Sequence, residues 1–487
     1  MLALLRSMTT RGQALSRDVD TVVVGSGPNG LVAAVRLAEA GQRVVVLEAA
    51  DQFGGGLRTE ELTLPGYRHD VCSTVHPLAV ASPAFRALDL SREGLEFAHP
   101  AAAYGHPVDE RTAGVAYRDL DRTAAELGRD GASWGRIVGG VARGGERLVD
   151  SLLSPLDFPP KAPLALTAYG SIGAWPERWV GRAAFREEPA RALLAGLAAH
   201  SMLSLNSLTT AGFGMLLGGL AHSVGWPVAV GGSQSIADAL VARLRSLGGE
   251  VVTGHKVISV TDLLKTSNVV LDLTPRQVAE VAREVLPTGY RKRLEAFRYG
   301  PGVFKIDWAL DGPVPWGDQR LAGAGTVHVC GTADEVAHSE KLTASGEHPE
   351  RPYVLFVQAS TADSTRAPDG KHTGWAYCHV PNGSRVDMTE RIEAQMERFA
   401  PGFRDRILAR HTMDTAALEA HNANEVGGDI AGGASDWRQF IARPVLSRSP
   451  WVTPVAGLYL CSSSTPPGGG VHGMGGWNAA AQVLARA

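Results

Sequence analysis

The stretch from Thr21 to Glu48 limits what this chain can fold into more than any other. An apolar run, Thr21-Val22-Val23-Val24, leads straight into Gly25-Ser26-Gly27-Pro28-Asn29-Gly30. A helical stretch follows over 31–41, and a second apolar run, Val44-Val45-Val46-Leu47, ends on Glu48. Strand, glycine turn, helix, strand and acid come in the order that a dinucleotide-binding βαβ unit requires. Gly25 permits the tight turn, Gly27 lets backbone approach a diphosphate, and Gly30 lets the helix close on the strand. The helix start, with Pro28 and Asn29 in its first turn, offers free N–H groups and a partial positive charge to phosphates. Glu48 stands where a carboxylate accepts both hydroxyls of an adenosine ribose.

A second glycine run, Gly54-Gly55-Gly56-Leu57-Arg58-Thr59, begins six residues after Glu48. It brings another stretch of backbone close to a bound cofactor, with Arg58 and Thr59 as phosphate donors. Near the C-terminus, a short strand at 457–461 ends on Cys461. A loop rich in serine, proline and glycine follows, through Ser462, Ser463, Ser464, Gly470, Val471, His472 and Gly473. A terminal helix then starts near Met474. The N-terminus of that helix would face the pyrimidine end of a flavin and stabilise charge in the reduced form.

Together these segments resemble the phytoene dehydrogenase-like branch of the FAD-dependent amine oxidase superfamily, from about residue 19 to the end. The motifs that carry the resemblance are GSGPNG, Glu48, GGGLRT and STPPGGGVHGMGGWNAA. A weaker match is PVAVGGSQSIADA at 227–239, followed by Leu247-Gly248-Gly249-Glu250 and Val257. The resemblance implies non-covalent FAD, a Rossmann-type FAD domain built from separated segments, and a substrate domain inserted between them. It also implies that Val257 presents its backbone to the adenine, and that Gly25, Gly27, Pro28, Asn29, Gly30, Glu48, Gly55, Gly56, Leu57, Arg58, Ser463, Gly470, Val471, Gly473 and Met474 form the cofactor site. Two departures favour the desaturase-like branch over the amine oxidases. Gly56 stands where amine oxidases carry an arginine after a Gly-Gly pair, and Ser462–Ser464 replace an acidic residue after the C-terminal strand.

At 487 residues the chain suits two domains, and its 44% apolar content supplies ample core. With 47 basic and 50 acidic residues and no basic stripe, nucleic acid is not an expected partner. Cys72, Cys330, Cys378 and Cys461 are scattered with no CxxC, which excludes a redox-disulfide flavoenzyme and a zinc ribbon and fits a reducing compartment. No second strand-GxGxxG-helix unit is present, so oxygen or a quinone is the expected electron acceptor rather than NAD(P)H. The first 17 residues carry Arg6, Arg11 and Arg17 and no acid. They read as a flexible extension of a cytoplasmic protein or, alternatively, as a mitochondrial transit segment.

The expected architecture is α/β. The FAD-binding domain takes 18–100, 215–290 and 445–487, and an α+β substrate domain with a mixed sheet takes 101–214 and 291–444. Residues 101–214 read mostly helical. Within 215–290, a helix over 235–247 precedes strands at 251–260 and 269–273. From 302 the pattern turns strand-rich, with alternation at 303–310, 353–359 and 373–380 and an amphipathic helix at 388–399. No Asp, Glu, Lys or Arg occurs over 201–237. That stretch reads as a buried inter-domain helix or the wall of an apolar tunnel, with Asn206, His222 and Pro227 arguing against a membrane span. Tyr169, Ile172, Trp175 and Trp179 lie in a segment that is either an ordinary surface loop or a lid making peripheral membrane contact.

A flavin desaturase or oxidase needs orientation more than a catalytic triad. Two residues are singled out for catalysis. Lys305, in VFKIDWAL, resembles the amine oxidase lysine that holds a water at flavin N5; the alternative is an edge-strand lysine bonded to Asp307. His472 either titrates beside the flavin or is hydrogen-bonded to loop carbonyls. His379, and His421 with Asn422 and Asn424, read as structural. The expected activity is oxidation or isomerisation of an apolar, isoprenoid or lipid substrate at a CH–CH group by hydride transfer to flavin N5. The alternatives are an amine or amino-acid oxidase, and a flavoprotein binding factor.

Overall fold

The computed structural model describes residues 19–155 and 160–486; the readings placed on 1–17 fall outside it. Its first layer is a five-stranded sheet in which every pairing is parallel. Across the sheet the order is Leu458–Leu460, Asn268–Leu271, Thr21–Val24 (β1), Val44–Leu47 (β2) and Glu250–Val252. Parallel strands covered on both faces read as continuous apolar runs, and Val22 and Val23 of β1 are 0% exposed. Helix Pro28–Glu39 (α1) starts with proline in its first turn and packs its alanine-rich side under the sheet. The terminal helix Met474–Leu484 lies beside α1, where the Arg36 guanidinium stacks over Trp477 at 3.9 Å from the ring centroid.

The second layer is a seven-stranded mixed sheet. Its order is Ile407–Met413, Gly302–Leu310, His372–Val380, Val354–Val357, Ala324–Val329, Ala102–Pro107 and Ala113–Ala116. One pairing, 324–329 with 102–107, is parallel; the rest are antiparallel. The mixed sheet and the Rossmann-type unit are those expected, with corrections. Residues 101–214 are mostly helical as expected, but 102–107 and 113–116 are strands. Their alanine, glycine and proline content gives no period-two signal, yet all ten residues are buried. The strand expected over 251–260 stops at Val252. The Gly254 N–H then bonds the Ala50 carbonyl (2.8 Å) and the His255 N–H bonds the Glu48 carbonyl (2.7 Å), which turns this segment along the end of β2. The expected boundary at 215 falls inside helix Thr210–Ser223, where Gly218 and Gly219 seat Val138 and Val141 of helix Gly131–Leu153. No helix among the described residues is long and apolar enough to cross a membrane.

Period two decides what strand Gly302–Leu310 presents. Phe304, Ile306, Trp308 and Leu310 face one core, where Trp308 meets Phe403 edge-on at 5.3 Å between centroids. Val303, Lys305 and Asp307 face the other side, toward the parallel-sheet domain.

The two layers are tied by a buried charge cluster. Arg366, 1% exposed, sends Nη1 to Asp70 Oδ2 (2.8 Å), Nε to Asp363 Oδ2 (2.8 Å) and Nη2 to the Ala229 carbonyl (3.0 Å). Asp70 also accepts from Ser233 N (2.8 Å), Thr59 Oγ1 (2.7 Å) and Thr74 Oγ1, and its carbonyl takes the Trp375 indole N–H (2.8 Å). Burial pushes the Asp70 carboxyl up, but Arg366 and these donors outweigh it and hold it below its ordinary value. A carboxyl lowered in the folded state stabilises the fold above its unfolded value of 3.8, and that contribution is lost as pH falls below it. Asp70→Asn leaves Arg366 buried with one carboxylate fewer, and the expected cost is about 3–5 kcal/mol. Denaturant unfolding at pH 7 measures it, and a loss under 1 kcal/mol would show that the cluster does not tie the layers.

Candidate active site

A cavity of about 1280 Å³ runs between the two sheets. One end is the glycine turn. There Gly25 takes φ +97°, a turn that L side chains rarely adopt, and a Cβ on Gly30 would stand 2.3 Å from the Gly25 carbonyl oxygen. Glu48 is fixed at the tip of β2. Its Oε2 accepts from Ser26 N (2.9 Å) and Ser26 Oγ (2.6 Å), and its Oε1 accepts from Ala50 N (2.9 Å). The second glycine run stacks directly on the first: a Cβ on Gly55 would lie 3.0 Å from Gly27 Cα. Val257 lies on the wall with His255, Lys256 and Ile258. Across from them run Ser462–Ser464 and the loop from Pro467 to His472.

These residues fit FAD. The two glycine runs form a cradle that any side chain would fill. Asn29 Oδ1 is buried with no partner, and Glu48 is aimed at the cavity by three donors. Gly27 and Asn29 would hold the diphosphate, Glu48 the ribose, Val257 the adenine, and Gly55, Gly56 and Gly468–Val471 the flavin ring.

The remaining expected site residues divide. Gly25, Gly27, Pro28, Asn29, Glu48, Gly55, Gly56, Arg58, Val257, Ser463, Gly470, Val471 and His472 line the cavity; Gly30, Leu57, Lys305, Gly473 and Met474 do not. Leu57 is 0% exposed in the core beneath, and Gly473 seats Val32 of α1. Arg58 bonds His421 Nδ1 (2.8 Å) and the Gly55 carbonyl (3.1 Å), so it braces the second glycine run. Ser463 Oγ accepts from Asn29 Nδ2 at 3.4 Å, which joins the C-terminal loop to α1.

Both catalytic expectations need correction. His472 Nε2–H donates to the Gly468 carbonyl (3.1 Å), and its Nδ1 accepts from Met474 N (3.0 Å). With both nitrogens used and burial holding it at about 4, it stays neutral near pH 7 and shapes the loop. Lys305 lies on an interior strand, not an edge, and its ammonium is bonded to Asp307. It stands 5.7 Å from the Trp375 ring centroid, behind a residue that lines the cavity. Burial pushes the Asp307 carboxyl up, but Lys305, His411 and His69 together hold it below its ordinary value.

The sequence reading passed over several wall residues. Trp375 and Tyr377 meet at 5.3 Å and 80° on the cavity face of the mixed sheet. Their alternation over 372–380 was legible, but the cavity side of that strand was not. Glu425 reaches the cavity beside Cys72, and burial raises it to about 7. Arg443 is buried beneath the C-terminal loop, with Nη2 on the carbonyls of Ala431, Gly432 and Ser463 at 2.9 Å each. His200 also lines the cavity and bonds His328 through Nε2 (2.9 Å); burial holds it at about 3.

Removing Lys305 leaves Asp307 buried among two histidines. Lys305→Met is expected to cost about 3–5 kcal/mol of stability, with most of it recovered in Lys305→Met/Asp307→Leu. Denaturant unfolding of both variants checks this, and an unchanged single variant would mean that the pair contributes nothing.

The NAD(P)-binding Rossmann-like domain family matches residues 23–89. Over 552 residues the chain is 27% identical to the rat (Rattus norvegicus) protein named pyridine nucleotide-disulfide oxidoreductase domain-containing protein 2, covering 96% of this chain and 93% of that one. It is 26% identical to the neurosporene-forming phytoene desaturase of Rhodobacter capsulatus, over 92% and 90% of the two chains. In fold it resembles a putrescine oxidase solved with putrescine bound, with TM-score 0.60, 18% identity, and 96% and 99% of the two chains covered. With the cofactor cradle, the discontinuous parallel sheet and the mixed sheet beside it, these likenesses support an FAD-dependent oxidoreductase of the amine oxidase and phytoene desaturase superfamily.

Proposed function

We propose that this protein dehydrogenates a neutral, apolar substrate, of isoprenoid or lipid character, at a CH–CH group. The carrying observation is the composition of the cavity away from the glycine turn. Its walls there are Leu152, Leu153, Met202, Phe213, Leu216, Leu217, Trp226, Leu355 and Val357, with Tyr169, His200, Thr209 and Thr326 as the polar members. The charged lining residues, among them Glu48, Arg58, Asp272, Glu425, Asp429 and Arg443, come from other segments of the wall, and His200 is held neutral by burial. Such a wall binds by desolvation and offers no counter-charge to an ammonium or a carboxylate. Bound FAD supplies a two-electron hydride acceptor. The chain's share is to exclude water and fix the substrate carbon at the flavin end, between Trp375, Tyr377 and the C-terminal loop. Oxygen or a quinone is the proposed final acceptor.

Substrate arrival from a membrane surface belongs to the same proposal. Helix Pro163–Gly173 turns Tyr169, Gly170 and Gly173 to the cavity, while Leu164 beside them is 86% exposed. Trp175 and Trp179 just beyond it are 50% and 59% exposed. The edge-on pair of Trp375 and Tyr377 favours a second reading, an amine oxidase, because aromatic faces suit a cationic or amine group.

Anaerobic flavin reduction with panels of polyenes, unsaturated lipids in vesicles, and primary amines separates the two. Bleaching of the flavin by apolar substrates alone supports dehydrogenation, and bleaching by amines alone overturns it. Glu48→Gln is expected to raise the FAD dissociation constant at least about tenfold, since charge-assisted hydrogen bonds contribute roughly 1.5–3 kcal/mol each. Fluorescence titration of released flavin measures it, and an unchanged constant would remove Glu48 from the ribose site.

A further inference from the structure

Asp272 follows strand Asn268–Leu271, and its carboxylate is aimed at the glycine turn. A Cβ on Gly27 would lie 2.7 Å from Asp272 Oδ2, and one on Gly30 would lie 3.0 Å from it. The same oxygen accepts the Gly30 N–H at 3.0 Å, with the Gly27 N–H as a further donor. An acidic side chain, 4% exposed and on the cavity wall, therefore occupies the N-terminus of α1, the place a cofactor diphosphate needs.

The groups that face Asp272 give it little reason to be ionised. Glu48 from β2 repels it. Cys461, at the end of the C-terminal strand, is a neutral thiol whose ionisation burial and Asp272 both oppose. Arg276 also reaches the cavity wall, but its guanidinium is bonded to Glu419. Among the described residues no salt bridge reaches Asp272. Burial pushes its carboxyl up to about 7; the Gly30 and Gly27 N–H groups oppose that shift and Glu48 adds to it. A diphosphate brought to the same turn adds further negative charge at hydrogen-bond range, and two anions so placed cannot both stay ionised at little cost.

We propose that Asp272 is a cofactor-binding residue that acts as a neutral acid: on FAD binding it takes one proton from solvent and donates the new O–H to a diphosphate oxygen, while Oδ2 keeps the Gly30 N–H. No electrons move; an O–H bond forms and a repulsion becomes a hydrogen bond. FAD retention is then linked to pH through this residue. It is constant where Asp272 of the FAD-free protein is already protonated, and it weakens as pH rises past that point because binding must supply the proton.

The test is the equilibrium release of FAD from diluted holoenzyme, followed by flavin fluorescence from pH 6 to 9. For the wild type, the dissociation constant should be flat at the acid end and rise by roughly fiftyfold between pH 7 and 9. Asp272→Asn should abolish the slope, because a carboxamide keeps both the donor and the acceptor at every pH. Glu48→Gln should bind more weakly throughout yet keep the slope. A flat wild-type profile overturns the proposal, as does an Asp272→Asn profile with the wild-type slope. A slope lost in Glu48→Gln also overturns it by moving the titration to Glu48. If Asp272→Asn does not fold, the wild-type and Glu48→Gln profiles still decide. The proposal rests on FAD as the cofactor, and failure of that assignment would read as no flavin at any pH rather than as a flat profile.

Discussion

The Asp70–Arg366 pair is the joint on which the site depends. Asp70 closes the short ribbon that follows the second glycine run, while Arg366 comes from the mixed-sheet domain nearly 300 residues later. Both are buried, and every donor around them comes from a different segment: Thr59 and Thr74 from one side, Ser233 from the return to the parallel sheet, and Trp375 through its indole. A buried pair of this kind gains little over an apolar contact, but it is costly to break, so it fixes one relative placement of the two sheets. The same indole that bonds the Asp70 carbonyl walls the cavity. The position of the substrate wall against the cofactor cradle is thus set by the Asp70–Arg366 pair, which does not itself line the cavity.

The cavity is divided by chemistry along its length. Its cofactor end gathers backbone donors, Glu48, Asp272 and Arg443, groups that recognise phosphate and sugar or brace the loops that do. Its other end is walled by aliphatic and aromatic side chains from helices and from one face of the mixed sheet. Strand Gly302–Leu310 shows how close the two regimes lie. Its cavity-side face carries Lys305 and Asp307, which neutralise each other just behind Trp375 and so leave the wall itself apolar. His472 follows the same logic, since its two ring nitrogens are consumed in holding the C-terminal loop. The protein orients and desolvates; on the cavity wall the Glu425 carboxyl, raised to about 7 by burial, accepts a hydrogen bond from Asn422 at 3.1 Å.

Local sequence determined the βαβ unit, because there the turn, the helix cap and the acid lie within thirty residues and each is dictated by steric or hydrogen-bonding needs of its own neighbours. GSGPNG, Glu48 and the second glycine run are where the sequence puts them, and strands 302–310 and 372–380 followed from alternation. Only the tertiary structure decided the rest. Strands 102–107 and 113–116 carry no periodic signal, because both faces are covered by other elements. Asp307, two residues on and on the same face, was legible as the alternative partner of Lys305, but the interior strand position that buries the pair was not. Asp272 sits in an unremarked tripeptide after a strand, and its meaning comes from the glycine turn that the fold places against it across 242 residues of chain. Local chemistry is written in sequence spacing, but which wall a side chain faces, and which charge neutralises it, depends on packing between segments that the sequence does not place side by side.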